Sequence, residues 1–139
     1  MRHPAAPFLA ALLLAGGSSL AVAETPQGLL AGYSNDAARG TPGFTPSAAR
    51  GEAFYRKPFG IAEKMPACSS CHTDTPTAAG RHAVTGKTIR PLAPSANGER
   101  FSDPAKVEKW FGRNCREVAG RDCTAAEKAD FMKFVMEAR

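Results

Sequence analysis

Beyond residue 23 the sequence has no apolar run approaching the ~20 residues a membrane-spanning helix needs, which excludes a spanning segment from everything after that point. It has only three histidines and four cysteines in 139 residues, so imidazole and thiol chemistry is confined to a handful of positions. Compositional bias is also missing. With 22% charged residues, 13 glycines, 11 prolines and eight phenylalanines, the chain fits neither a disordered nor a collagen-like class. The length leaves room for one domain.

What is present begins with a leader. Arg2 and His3 give a basic start, Phe8 to Leu14 a short apolar run, and Ala21-Val22-Ala23 the small-x-small pattern that a signal peptidase accepts. These features predict a signal peptide over residues 1–23 and a mature chain from Glu24 to Arg139, exported to the periplasm and not membrane-spanning. The mature chain carries a net charge of about +4. Nucleic acid, the usual partner of a basic surface, is removed from contention by export.

Export changes how the cysteines read, because free thiol pairs outside the cytoplasm tend to oxidise. Cys68-Ser69-Ser70-Cys71-His72 is C-x-x-C-H. Two thiols at this spacing reach the two vinyl groups of one porphyrin edge as thioethers, and the adjacent histidine ligates the iron from below. A thioredoxin-like pair would start a helix after a strand, and no strand pattern precedes Cys68. A zinc site would want its second pair two to four residues apart, whereas seven residues separate Cys115 from Cys123. The motif therefore predicts one covalent haem c held by Cys68, Cys71 and His72. Cys115 and Cys123 are placed to close a small disulfide ring, worth roughly 2–3 kcal/mol by loop entropy.

Around that motif the pattern is helical. Residues 24–46 form an N-terminal extension, expected as a short helix and a loop with Leu29, Leu30 and Tyr33 as docking points; residues 47–139 form the haem domain. Ser47 caps a helix to Lys57, within which Gly51 permits close approach of another helix. Thr73 to Arg100 shows no regular period and is expected to wrap the haem edge, with the Pro91 carbonyl a candidate acceptor for the outer ring nitrogen of His72. Asp103 and Pro104 start the next helix. Its stripe, Val107, Trp110, Phe111, Asn114 and Val118, places an amide where an apolar residue belongs. From periodicity alone, Asn114 is either a partner for the iron or a helix-end cap. Thr124 and Glu127 form a capping box for a last helix with Phe131, Phe134, Val135 and Ala138 as its core stripe and Met132 and Met136 on its flanks. Met65 falls close to Cys68 on the His72 side, and His82 is the other imidazole that a bis-histidine haem would use.

The stretches TGKTIRPLAPS (85–95), RFSDPAKVEKWFGRNC (100–115) and GRDCTAAEKAD (120–130), following C-x-x-C-H, closely resemble the sphaeroides haem protein family of periplasmic monohaem cytochromes c. The resemblance covers most of residues 47–139. It implies an all-α, class I cytochrome c fold, with Asn114 as the sixth iron ligand of the oxidised protein and Cys115 disulfide-bonded to Cys123. It implies further that Asn114 leaves on reduction and opens the iron to oxygen, nitric oxide and other diatomics such as carbon monoxide. The implied electron donor is a dihaem cytochrome c, itself supplied by a membrane cytochrome b. An amide oxygen is a hard, weak donor that favours Fe(III), which agrees with that behaviour. Trp110 and Phe111 are expected to cover the haem, and Lys106, Lys109, Arg113 and Arg116 give the Asn114 helix a basic flank for an acidic redox partner.

Two function classes follow. One is a monomeric gas-binding redox protein, oxidising nitric oxide with bound oxygen or reducing a small molecule. The other is a simple electron carrier with His72 and a methionine or His82 as permanent ligands.

Overall fold

The computed structural model describes residues 25–139; the expected signal peptide over residues 1–23 lies outside them. Among the described residues five helices and one minimal β-ladder follow one another: α1 (Pro26–Gly40), α2 (Ala48–Arg56), α3 (Ser69–His72), β1 (Gly80–Arg81), β2 (Thr88–Ile89), α4 (Pro104–Ala119) and α5 (Ala125–Glu137). The fold is all-α, and no helix among the described residues is long and apolar enough to cross a membrane.

The helix boundaries follow from cap chemistry. The Thr25 hydroxyl accepts from the Gly28 amide at 3.0 Å with Pro26 in the first turn, and the Asp103 carboxylate accepts from the Lys106 amide at 3.0 Å with Pro104 behind it. The Thr124–Glu127 box is reciprocal. Thr124 accepts from the Glu127 amide at 3.2 Å and Glu127 from the Thr124 amide at 2.9 Å. Helix α1 is longer than the short helix expected from its polar composition. It is held by Tyr33, which is buried and donates to Glu108 on α4, and by Leu29 and Leu30 packed on the core.

Helix α5 is the centre of the fold, with α1 and α2 both packed against it. Gly51 permits the α2 approach as its position suggested, since a Cβ there would sit 1.9 Å from the Asp130 carbonyl oxygen. The contact is tied electrostatically as well. The buried Asp130 carboxylate accepts from the Ser47 amide at 2.7 Å and from the Arg50 guanidinium at 2.7 and 2.8 Å. Because two helices cover α5, its buried face is wider than one stripe. Met132, expected on a flank, is fully buried with Tyr55 and Val135, while Phe134 is only half-buried and Ala138 lies past the last helical residue.

The long segment between α3 and α4 is not wholly irregular. Gly80 pairs with Ile89 and Arg81 with Thr88 in an antiparallel ladder that lies against the haem-binding motif. A Cβ at Gly80 would sit 2.1 Å from the Cys71 carbonyl oxygen, so glycine is what lets β1 touch the motif.

Candidate haem site

Helix α4 stands across a cavity of about 980 Å³ from the α3 motif, at the upper end of the range for cofactor sites. The cavity brings together Cys68, the residue before α3, and Cys71 and His72 from α3 with Trp110, Phe111 and Asn114 from α4, and its walls include Phe54, Phe59, Leu92, Val107 and Phe131. The Cys68 and Cys71 thiols are not joined to each other.

The donor set suits haem c. Burial pushes the Cys68 thiol up to about 11, so it is held as a neutral thiol, a form suited to becoming an apolar thioether. Burial, aided by the Arg100 and His82 charges, brings the His72 imidazole down to about 4; it is neutral at pH 7, with a lone pair available for iron. Behind the motif the Tyr55 hydroxyl donates to the Thr73 carbonyl at 2.5 Å, fixing the residue after His72, which has a left-handed φ of 64°.

Asn114 lies inside a helix and not at its end. Helix α4 passes through Gly112 and stops only at Ala119, where Gly120 takes the left-handed terminal conformation at φ 72°. Helix capping therefore does not explain the amide. Next to it, Cys115 and Cys123 form a disulfide across a sequence separation of 8.

Other sequence candidates fall differently. His82 lines the cavity, but its segment lies on the motif's own wall. The Ala83 amide is 3.3 Å from Cys71 Sγ, and His82 Nδ1 accepts from the Val84 and Thr85 amides at 3.2 and 3.3 Å. Met65 lines the cavity, whereas Met132 and Met136 do not. Pro91 is not among the lining residues. The bond expected from His72 to its carbonyl is not formed here; that carbonyl accepts instead from Asn97 Nδ2 at 3.1 Å and Arg100 Nε at 2.7 Å. Trp110 lines the cavity, 41% exposed, with the Arg113 guanidinium over its ring. On the basic flank Arg113 pairs with Glu117 and Arg116 with Asp122.

Asn97 and Arg100 escaped the sequence reading, because Asn97-Gly98 reads as ordinary turn chemistry. Both line the cavity, and the buried Asn97 Oδ1 has no protein partner.

Residues 42–135 match a family described as a domain of unknown function, DUF1924. The chain is 46% identical over 129 residues to the cytochrome c-type protein SHP of Cereibacter sphaeroides, covering 92% of this chain and 95% of that protein. The chain belongs to the SHP family of cytochromes c. Its cofactor is accordingly a single haem c, which the donor set and the apolar cavity fit. Cytochrome c'' of Methylophilus methylotrophus is 37% identical over 126 residues, covering 89% of this chain and 88% of that protein. The structure of oxidised SHP, described as an oxygen-binding cytochrome c, superposes with a TM-score of 0.71 at 47% identity, over 81% of this chain and 96% of that one. Oxidised cytochrome c'' superposes with a TM-score of 0.77 at 38% identity, over 82% and 94%. Both place this chain in the class I-like all-α cytochromes.

Proposed function

We propose that this chain is an exported, gas-binding cytochrome c in which Asn114 occupies the sixth iron position when oxidised and withdraws on reduction. The observation that carries the reading is Asn114 on the wall of the cavity that also holds His72, from within a helix that continues past it to Ala119. The relatives lend support: SHP is described as oxygen-binding, and a solution structure of Methylophilus cytochrome c'' is described in terms of haem-ligand detachment.

Haem c supplies an iron that changes oxidation state and, with an open position, takes a diatomic gas. The residues do the rest. His72, a buried neutral imidazole, would hold the iron in both states. The Asn114 oxygen, a weak neutral donor, would suit the harder ferric ion better than the ferrous one. The disulfide at Cys115 restrains how far the residue travels. Phe111 and Val107 line the cavity on the same helix as Asn114 and give it an apolar wall beside that residue. Electrons come from a dihaem cytochrome c in the periplasm, and the protein turns over nitric oxide with oxygen or reduces a small molecule.

Optical spectra of the holoprotein, oxidised, reduced without air and then exposed to carbon monoxide, test this for wild type and Asn114→Ala. The expected result is a low-spin oxidised form, a high-spin reduced form that binds carbon monoxide, and a variant that is high-spin throughout. Low-spin spectra in both states with no carbon monoxide binding would make the protein an electron carrier ligated by His82 or a methionine.

A further inference from the structure

On α4 the ring of Phe111 is caged by two other helices. It meets Tyr33 of α1 edge-on with ring centres 5.8 Å apart, and Phe131 of α5 edge-on at 5.5 Å. The Lys128 ammonium of α5 lies over it at 5.6 Å and over the Tyr33 ring at 5.2 Å. Edge-to-face pairs and a cation over a ring each favour a particular orientation, so these contacts fix the plane of Phe111 as well as its place. Lys128 is itself anchored. Its Nζ donates to Glu108 at 2.8 Å, and the same carboxylate accepts from the Tyr33 hydroxyl. Glu108 stands on α4 three residues before Phe111, so the helix that carries the ring also carries the carboxylate that locks the cage.

The caged ring also lines the cavity. Asn114 follows it by three residues and so shares its face of α4, about one turn further on. The neighbouring aromatic on that wall, Trp110, is 41% exposed and can give way toward solvent. Phe111 can give way only by parting two aromatic contacts and displacing the Lys128–Glu108 pair. A wall that cannot move selects by size, because a misfit in a packed apolar site is relieved only by displacing its neighbours.

We infer that Phe111, caged by Tyr33, Phe131 and Lys128, is the specificity-determining residue beside Asn114, admitting a diatomic ligand to the iron and rejecting ligands with bulk beyond the second atom. The inference rests on the gas-binding reading above and names the side chain that sets the size of ligand admitted.

Equilibrium binding of carbon monoxide, methyl isocyanide and tert-butyl isocyanide to the ferrous holoprotein tests it in wild type, Phe111→Ala, Phe111→Leu and Met132→Ala. The two isocyanides are neutral, bind iron through a terminal carbon as carbon monoxide does, and differ from each other chiefly in bulk. Phe111→Ala is expected to improve the affinity for tert-butyl over methyl isocyanide at least ~10-fold, the low end for a one-methylene misfit in an apolar pocket. Phe111→Leu should move the ratio the same way by a smaller factor, and it carries the test if Phe111→Ala fails to hold haem. Met132→Ala loosens the α5 core at a residue that does not line the cavity, and its ratio should stay within ~3-fold of wild type. An unchanged ratio in the Phe111 variants would overturn the inference. A shift in Met132→Ala as large as in Phe111→Ala would also overturn it, assigning the selectivity to the general tightness of the core. A ferrous wild type that binds no carbon monoxide would sink the gas-binding reading and this inference with it, whereas carbon monoxide binding with an unchanged ratio sinks the inference alone.

Discussion

Two glycine-to-alanine changes in neighbouring helices should act with opposite signs. At Gly51 on α2 the new methyl would meet the Asp130 carbonyl oxygen at 1.9 Å, its carbon at 2.5 Å and Phe134 Cβ at 2.9 Å. Two of those atoms are α5 backbone, so relief requires α2 to move away from α5 by more than an ångström. That movement loosens the packing of Tyr55 against α5 and stretches the Arg50–Asp130 pair. Overpacking costs typically ~1–3 kcal/mol and more when backbone must move, against about 1 kcal/mol returned by the better helix former. The expected net effect for Gly51→Ala is a loss of about 2 kcal/mol, or about 8 °C in melting temperature at roughly 4 °C per kcal/mol. At Gly32 on α1 nothing lies within 4 Å of the added carbon, so Gly32→Ala should gain about 1 kcal/mol and about 4 °C. Thermal unfolding of both holoproteins by far-ultraviolet circular dichroism, with the Soret band as a second reporter, measures the difference. A Gly51→Ala protein as stable as wild type would mean that α2 does not sit on α5 as described.

Met132→Ala should cost about 2–5 kcal/mol in chemical denaturation, the range for emptying a fully buried site, and a loss below 1 kcal/mol would return Met132 to the flank of α5. Glu127 is held below the ordinary carboxylate range by its bond from Arg121, opposed by partial burial and helped by the Thr124 amide. Its depressed folded pKa means that the stability it lends is present above the unfolded value near 4.5 and is lost as pH falls through the folded one. Melting temperature should therefore fall less steeply with acidification in Glu127→Gln than in wild type, and parallel curves would show that the capping box contributes nothing to the acid limb. Replacing Cys115 and Cys123 together with serine should lower stability by roughly 2–3 kcal/mol and increase the high-spin fraction of the oxidised protein. An unchanged spectrum would confine the disulfide to a stabilising role.

How far the sequence could be read depended on whether the deciding physics was local. C-x-x-C-H, the caps at Ser47, Asp103 and Thr124, and the close approach at Gly51 are set within a few residues, and each is visible in the chain before it is folded. Met132 was misplaced because a stripe argument assumes one neighbour, whereas α5 has two. The length of α1 was underestimated because its polar composition hides a helix stabilised by Tyr33 reaching Glu108, a contact across 75 residues. Arg100 and Asn97 were invisible for a related reason. Their role depends on what lies beside them in space, and the segment from Thr73 to Arg100 has no periodicity from which to infer it.

Helix α4 shows why an asparagine is tolerated in its apolar stripe. Cys115 is its one buried residue, and the helix makes no extended packing with another helix. Val107, Phe111, Asn114 and Val118 line the cavity, and Phe111 also packs edge-on against Tyr33 of α1 and Phe131 of α5. The protein holds α4 from its ends and sides: by Asp103 at the N-terminus, by Tyr33 and Lys128 on Glu108, and by the disulfide next to Asn114. A helix fixed in this way would keep its place if, as proposed, Asn114 engages and leaves the iron. Had the stripe been buried against α5 in the manner of Met132, releasing Asn114 would mean disrupting a packed core at several kcal/mol. Because Asn114 lines the cavity, its release under the proposed function would change only one weak contact, the condition for an equilibrium that a one-electron change can shift.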